Sequence, residues 1–491
     1  MLFYLKFCTL YVLDKLMKHY PILLAGKEID TDTKVNVINP YNNEVIASIS
    51  YGSKSNLLEA LDKASEIFPT TRKIPSFKRA EILLSVAAQL KDNLEEFAQS
   101  ICLESGKPLF YARGEVNRCI NTFTIAAEEC KRIHGDFFSL DAVSTGVNRY
   151  AITQHFPEGV VVGISPFNFP LNLVAHKIAP ALAVGAPIIL KPASKTPLSA
   201  LMLGNLITNT EWPKEAISVI PCKGSDASPL VEDPRVKVLS FTGSAEVGWG
   251  LKKRSGKKKI ILELGGNAGM IIHSDANLKY AAQRSVMGSF AYSGQVCISV
   301  QRIYVQESVF DEFIQYFKEE TEKLVIGDPL DPKTTFSVMV DEENAIRIDQ
   351  WVQEATKTGA KILVGGERKG CYYAPTALTN VPKQEKVVCL EAFGPIVVIE
   401  KYKDFDEAIK LVEDSDFGLQ CGVFTQDISN ALKAFDGINV GGVMVNDVPT
   451  FRVDQMPYGG NKDSGFGREG IKYSMEEYCQ IRLMTINESY K

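Results

Sequence analysis

Between Lys54 and Lys131 the apolar positions recur three and four residues apart, as in FKRAEILLSVAAQLKDNLEEFAQSICLES, the spacing that lays one buried stripe along a helix. Helices are therefore expected to dominate that stretch. From Gly159 the texture changes to short β-branched runs, GVVVGIS, APIILKP, AISVIP, VKVLSFTG, KKIILELGG and GMIIHSD, which alternate with helical segments. Such alternation implies a parallel sheet covered by helices. After Cys297 the pattern resumes with QRIYVQ, the helix VFDEFIQYFKEETEKL, AKILVGG, GPIVVIEKY, the helix DEAIKLVED, LQCGVFTQ and GGVMVND. A second α/β unit follows the first. The glycine pair Gly265–Gly266 in ELGGNAG is the candidate junction, because glycine lets a chain leaving a strand change direction.

A chain of 491 residues exceeds what one hydrophobic core supports, in keeping with two or three units. Its 45% hydrophobic and 23% charged residues are ordinary for a globular protein. Lys and Arg number 54 against 59 Asp and Glu, a net charge of -5, and the one basic run, Lys252 to Lys259, reads as a solvated helix end. This balance argues against nucleic-acid and acidic-membrane partners. Ten cysteines without a C-x-x-C pair fit reduced thiols in a cytoplasmic protein. The five histidines lack the close spacing of a metal site, so no metal is expected. The apolar opening MLFYLKFCTLYVL falls short of the roughly 20 residues that span a bilayer, and no small-residue cleavage site follows. Met17 then begins MKHYPILLAGKEI, so residues 1–16 are expected to be a dispensable upstream extension.

Candidate chemistry centres on SFAYSGQVCISVQR, where a helix through Ala281 to Phe290 should break at Gly294 and present Cys297 on the loop beyond. Alone, one cysteine among ten is more simply a small buried apolar group. Three other segments change its standing. In GISPFNFPLN, Asn168 follows a strand and can aim its amide at a developing oxyanion, although a turn between prolines explains it as well. In LELGG, Glu263 ends an apolar strand, where burial would raise its pKa toward that of a general base unless a salt bridge holds it. In EAFGP, Glu391 and Phe393 lead into another strand.

These segments, with FTGS at 241–244 and PYGGNKDSGFGREG at 457–470, resemble the aldehyde dehydrogenase superfamily in order and separation from Met17 onward. LELGG and the cysteine of GQVC stand 34 positions apart, 263 against 297, which makes the likeness specific. The resemblance implies the aldehyde dehydrogenase fold: two open parallel-sheet α/β domains and a small β oligomerisation element. Residues 17–145 and 158–264 would bind NAD(P), 265–470 would form the catalytic domain, and 146–157 with 471–491 would form the element that pairs subunits into a homodimer or homotetramer. An unpaired edge strand there would be a liability in a monomer.

It also implies a mechanism. Cys297 would attack the aldehyde carbon, Asn168 would hold the oxyanion of the thiohemiacetal, and Glu263 would activate the water that hydrolyses the thioester. No G-x-G-x-x-G follows a strand, so the cofactor set implied is Ser165, Pro166, Phe167, Lys191, Ser194, Lys195, Asp226, Thr242, Gly243, Ser244, Gly265, Glu391 and Phe393. Thr242 to Ser244 would meet the pyrophosphate at a helix start, where Ser244 could equally be an ordinary cap. Ser194 stands where NAD-selective members of that family carry a glutamate, and beside Lys195 it can accept a 2′-phosphate, so NADP is preferred and NAD is the alternative. Val296 occupies the position that holds an arginine in members handling phosphorylated aldehydes, which disfavours a doubly charged substrate. Arg113 and Arg452 are candidate substrate anchors or structural ion pairs. A short hydroxyaldehyde such as lactaldehyde or glyceraldehyde is the expected substrate. Succinate semialdehyde and glyceraldehyde 3-phosphate are alternatives, followed by a CoA-acylating enzyme, disfavoured by the base at Glu263, or an inactive structural homologue.

Overall fold

The computed structural model describes residues 18–490, and the expected extension 1–16 lies outside the described residues. The helical stretch is present as Lys54–Thr71, Ser76–Asp92, Leu94–Ser105 and Leu109–Glu129. Ser53 starts it with a reciprocal cap, its hydroxyl accepting from the Asn56 N–H while the Asn56 side chain accepts from the Ser53 N–H. Short strands that periodicity did not single out come before it. Ile22–Leu24 and Lys27–Ile29 extend the edge of the first sheet, and His19–Tyr20, Val45–Ser50 and Lys34–Ile38 form a separate one.

The first large sheet has at its centre five parallel neighbours: Lys259–Glu263, Val236–Thr242, Val160–Ile164, Ile188–Lys191 and Ile217–Val219, in that order. Every residue of helix Asn172–Val184 is buried. The helix packs on this sheet and is covered by Ser76–Asp92, Leu109–Glu129 and Ile471–Glu477, which is why its sequence carries no polar face. The second sheet runs Lys361–Val364, Thr376–Thr379, Ile396–Tyr402, Val300–Gln306, Ala268–Ile272, Gln420–Phe424 and Gly442–Val445, parallel except for its first strand. Late in the chain Gly465–Phe466 returns to the first sheet and pairs antiparallel with Leu262–Glu263.

A third sheet joins Arg149–Pro157 to Cys479–Asn487 along nine residues, with Phe137–Ser139 on its other side. The architecture is the expected one of two open parallel-sheet α/β units and a small β element. Among the described residues no helix is long and apolar enough to cross a membrane. The nine described cysteines are all unpaired.

The carboxyl ends of the five central parallel strands lie side by side, where open α/β sheets bind ligands. Each leads into a segment that the sequence singled out. Val160–Ile164 leads to Ser165–Asn168, Ile188–Lys191 to Ser194 and Lys195, and Ile217–Val219 to the turn bearing Asp226. Val236–Thr242 leads to Gly243 and Ser244, and Lys259–Glu263 ends on Glu263 itself, paired in register with Thr242.

Candidate active site

Helix Leu278–Phe290 ends as expected, and the turn that follows holds Tyr292, Ser293 and Gly294 with φ of 49°, 53° and 67°. Left-handed backbone costs about 1–2 kcal/mol at a residue with a Cβ, so the turn needs bracing. The Tyr292 hydroxyl donates to the Ser105 carbonyl at 3.1 Å, and the Ser293 hydroxyl donates to the Ser337 carbonyl at 3.0 Å. Gln295 accepts from the Val340 N–H at 2.9 Å. A Cβ on Gly294 would overlap the Gly394 carbonyl, so only glycine fits where the chain swings toward Cys297. The Cys297 sulfur then lies among Val296, Ile298, Leu419 and Phe169, 3.0 Å from the Tyr458 hydroxyl. Burial pushes the thiol up to about 11, opposed by the Tyr458 hydrogen bond and the Arg452 charge.

Glu263 is 2% exposed, and among the described residues neither carboxylate oxygen has a hydrogen-bond partner. Burial, reinforced by the charge of Glu469, holds its pKa well above the usual carboxylate range, against the pull of Arg452, Lys177 and Arg468. The segment PYGGNKDSGFGREG closes on itself through Tyr458 and Glu469, each donating its N–H to the other's carbonyl. One end of that closure delivers the Tyr458 hydroxyl to Cys297, and the other delivers the Glu469 carboxylate to Lys177 at 3.0 Å and Arg452 at 3.3 Å. Although burial works against it, the charges of Lys177, His176 and Arg452 bring Glu469 down to about 2. Two neighbouring buried carboxyls are thus driven in opposite directions, one toward holding a proton and one toward permanent charge.

The Asn168 amide donates to the Gln295 carbonyl at 3.0 Å, while its side-chain oxygen Oδ1 is buried without a partner among the described residues. The donor therefore sits against the loop of Cys297. Sequence reasoning missed what holds it. The buried Lys107 ammonium pairs with Glu115 and donates to the Asn168 carbonyl at 2.6 Å, with the rings of Phe169 and Tyr292 centred 4.0 and 4.6 Å away. Glu115 in turn accepts from the N–H groups of Leu171 and Asn172, the otherwise unpaired donors at the start of helix Asn172–Val184.

Cys297, Glu263 and Thr242 share a cavity of about 650 Å³ with Arg452 and Arg113. Arg452 lies over the Tyr458 ring at 3.5 Å and pairs with Glu469, while among the described residues its buried Nε finds no partner. Arg113 stands at the exposed rim, bonded twice to Glu95 at 2.7 and 2.9 Å. A third arginine, Arg118, also lines the cavity and pairs with Asp454 at 2.7 Å. Nothing local distinguishes it in sequence from a solvated helix residue. Val296 contributes only apolar surface beside Cys297.

Along the strand ends, Lys191 is 9% exposed, and among the described residues its ammonium makes only a 3.4 Å contact with the Pro192 carbonyl. A buried cation without an acid partner suits an oxygen-rich ligand such as a nucleotide ribose or phosphate. Ser244 stands at the N-terminus of helix Ala245–Arg254 but makes no side-chain cap, which leaves the helix N–H groups for an anion. Glu391 accepts from the Gly266 N–H at 2.9 Å, and a Cβ on Gly265 would overlap its carboxylate. Burial pushes Glu391 up to about 7. Phe393 and Phe167 meet edge to face at 5.6 Å, joining two of the expected cofactor segments. The Ser165 N–H donates to the Lys191 carbonyl at 3.1 Å, and its buried hydroxyl has no partner. Asp226 lies on the turn Gly224–Ala227, and Pro166 precedes Phe167 in the loop of Asn168. Ser194 is exposed, whereas Lys195 forms an ion pair with Asp341 from the second α/β unit.

An open parallel sheet with ligand loops at its carboxyl edge, facing a cysteine and a partnerless carboxylate in one cavity, defines a class of thiol-bearing oxidoreductases. The aldehyde dehydrogenase family matches residues 28–484, and the chain belongs to that family. It is 43% identical to the 3-sulfolactaldehyde dehydrogenase of Priestia megaterium over 96% of this chain and 98% of that protein. It is 44% identical, with a TM-score of 0.95, to aldehyde dehydrogenase 21 of Physcomitrella patens solved with the reaction product succinate, covering 96% of this chain and 99% of the other. The glyceraldehyde-3-phosphate dehydrogenase GapN of Methanocaldococcus jannaschii, solved with NADP, is 38% identical with a TM-score of 0.89, over 93% and 100% of the two chains.

Proposed function

We propose that this protein oxidises a short hydroxyaldehyde to its carboxylate with NADP, through a thioester on Cys297. The observation that carries this reading is the meeting of Cys297, the partnerless Glu263 and Arg452 in one cavity at the edge of the nucleotide-type loops. The Cys297 thiolate attacks the aldehyde carbon. The oxyanion is held by the Asn168 amide and the Cys297 N–H, the amide turning from the Gln295 carbonyl to the new charge. A bound nicotinamide cofactor would supply the hydride acceptor for this oxidation. Lys191 and the free helix start after Ser244 would hold its ribose and phosphates, and Glu391 would belong to the same binding set. Glu263 then takes a proton from the water that attacks the thioester, a task suited to a carboxyl whose pKa burial has raised.

Three arginines line the cavity, each already paired with a carboxylate, so the far end of the substrate meets donors more than bare positive charge. This supports a terminal hydroxyl or a single anionic group. The relatives named for sulfolactaldehyde and solved with succinate favour the anionic variant as a second reading. A doubly charged phosphate fits less well, since Val296 supplies no guanidinium beside the nucleophile. Steady-state rates with lactaldehyde, glyceraldehyde, sulfolactaldehyde, succinate semialdehyde and glyceraldehyde 3-phosphate, each with NADP and NAD, test the reading. Highest kcat/KM on a hydroxyaldehyde with NADP supports it, and dominance of the phosphorylated substrate overturns it.

The third sheet supports a homodimer or homotetramer. Cys479–Asn487 is an edge strand with Ile481, Leu483 and Met484 exposed, and Gly442–Val445 is an open edge of the second sheet. Sedimentation at micromolar concentration giving a monomer would end that proposal.

A further inference from the structure

The Cys297 sulfur must be ionised to attack a carbonyl, yet it packs against an apolar shell of Val296, Ile298, Leu419 and Phe169, which offers a thiolate no hydrogen bond. The hydroxyl 3.0 Å away belongs to Tyr458, whose position is fixed twice. Its backbone is bonded in both directions to Glu469, at 2.9 and 2.6 Å, and its ring is covered by the Arg452 guanidinium at 3.5 Å. We propose that Tyr458 is a catalytic residue: its hydroxyl donates a hydrogen bond to the Cys297 thiolate and eases ionisation of the nucleophile in a cavity that otherwise favours the thiol. The proposal rests on Cys297 being the nucleophile.

The direction of the hydrogen bond follows from the proton affinities. Burial holds the phenol proton more firmly than usual, and a thiolate has none to give. Ionisation breaks only the S–H bond, and its proton goes to solvent. Of the groups facing the sulfur, Tyr458 and Arg452 favour the thiolate, while Glu391 and Glu263 oppose it. Once sulfur bonds to carbon its charge is lost and the hydrogen bond weakens. Tyr458 therefore assists the free nucleophile and the thiolate that leaves after hydrolysis, rather than the acyl-enzyme.

The test is the pH dependence of iodoacetamide alkylation of the purified full-length enzyme, with modification of Cys297 followed by peptide mass spectrometry. Loss of one hydrogen bond to a charged group in Tyr458→Phe should raise the apparent thiol pKa by about one unit. A more basic thiolate is more nucleophilic, so the rate at pH 7 should fall only about threefold, with the rise of the profile displaced to higher pH by that unit. Loosened packing would instead admit water to the thiolate and displace the profile to lower pH. Site-specific 3-fluorotyrosine at position 458, a stronger donor, should shift the profile the other way, and it decides the matter if Tyr458→Phe does not fold. A Tyr458→Phe profile superimposed on the wild type, or a fluorotyrosine enzyme without a shift, overturns the proposal. Cys297→Ala separates the two layers: if it retains dehydrogenase turnover, the nucleophile assignment falls, whereas an inactive Cys297→Ala beside an unshifted Tyr458→Phe profile removes only the role of Tyr458.

Discussion

Glu263 is 2% exposed with neither carboxylate oxygen hydrogen bonded among the described residues, whereas the Lys195 side chain, three strands away along the same sheet edge, is 48% exposed and paired with Asp341. Both belong to the reaction proposed here, one to its chemistry and one to its choice of cofactor. Their settings differ in effective dielectric and in the freedom to recruit water as a partner. In the cavity an unpaired charge is expensive and a neighbour shifts the proton balance of the next, as Glu469 does to Glu263. At the rim water and salt mute every interaction. Substitutions in the cavity should therefore change rates by orders of magnitude, and those at the rim by small factors.

The largest effect is expected from Glu263→Gln. Without the base, hydrolysis of the thioester should slow by about 10²–10⁴-fold while acylation survives. Rapid mixing should show a burst of one reduced cofactor per active site followed by a slow steady state. A lost burst would place Glu263 before hydride transfer and break the division of labour between it and Asn168. Asn168→Ala comes next, with kcat down about 10²–10³-fold from one missing oxyanion donor and no burst, because the deficit now lies in the first half of the cycle.

A smaller and thermodynamic contrast concerns pH. A carboxyl whose folded pKa is raised contributes stability that is complete below the unfolded value, near 4.5, and is lost as pH rises through the folded value. Glu391, pushed up to about 7 by burial, adds to the same slope between those limits. Glu263→Gln removes one such group. It should melt close to the wild type near pH 5 and at a higher temperature than the wild type at pH 8. A wild type that gains on the variant with rising pH would mean that Lys177 and Arg452 keep Glu263 ionised.

Residues legible in the sequence were those whose surroundings are made locally. Glu263 ends its own strand before two glycines, Cys297 follows its own helix break, and Asn168 follows its own strand. Tyr458, Arg118 and Lys107 were not legible, although Tyr458 lies inside a segment noted for other reasons. Their partners Cys297, Asp454 and Asn168 are 161, 336 and 61 positions away, so no spacing could announce them. The strands Ile22–Leu24 and Lys27–Ile29 escaped for a different reason. Three residues are too few to display a period, and they exist because the edge at Ile217–Val219 accepts them. Lys195 combined both cases: its side chain was foreseen as a phosphate ligand, its competitor was not.

That competitor gives the smallest prediction and the sharpest test of the rim. Asp341 lies 146 positions from Lys195, on the other α/β unit, and caps helix Glu342–Lys357 by accepting from the Asn344 N–H at 2.7 Å. Asparagine caps a helix about as well, so Asp341→Asn should preserve the helix while releasing the ammonium. A 2′-phosphate near Ser194 would then meet a free cation instead of one already neutralised. An exposed ion pair is worth about 0.2–1 kcal/mol, so KM for NADP should fall roughly two- to fivefold, with KM for NAD unchanged. The gain should shrink as salt rises, because both charges are screened. Equal changes with both cofactors would mean that Asp341 acts on the fold of the loop, and no change at all would remove Lys195 from the set of phosphate ligands.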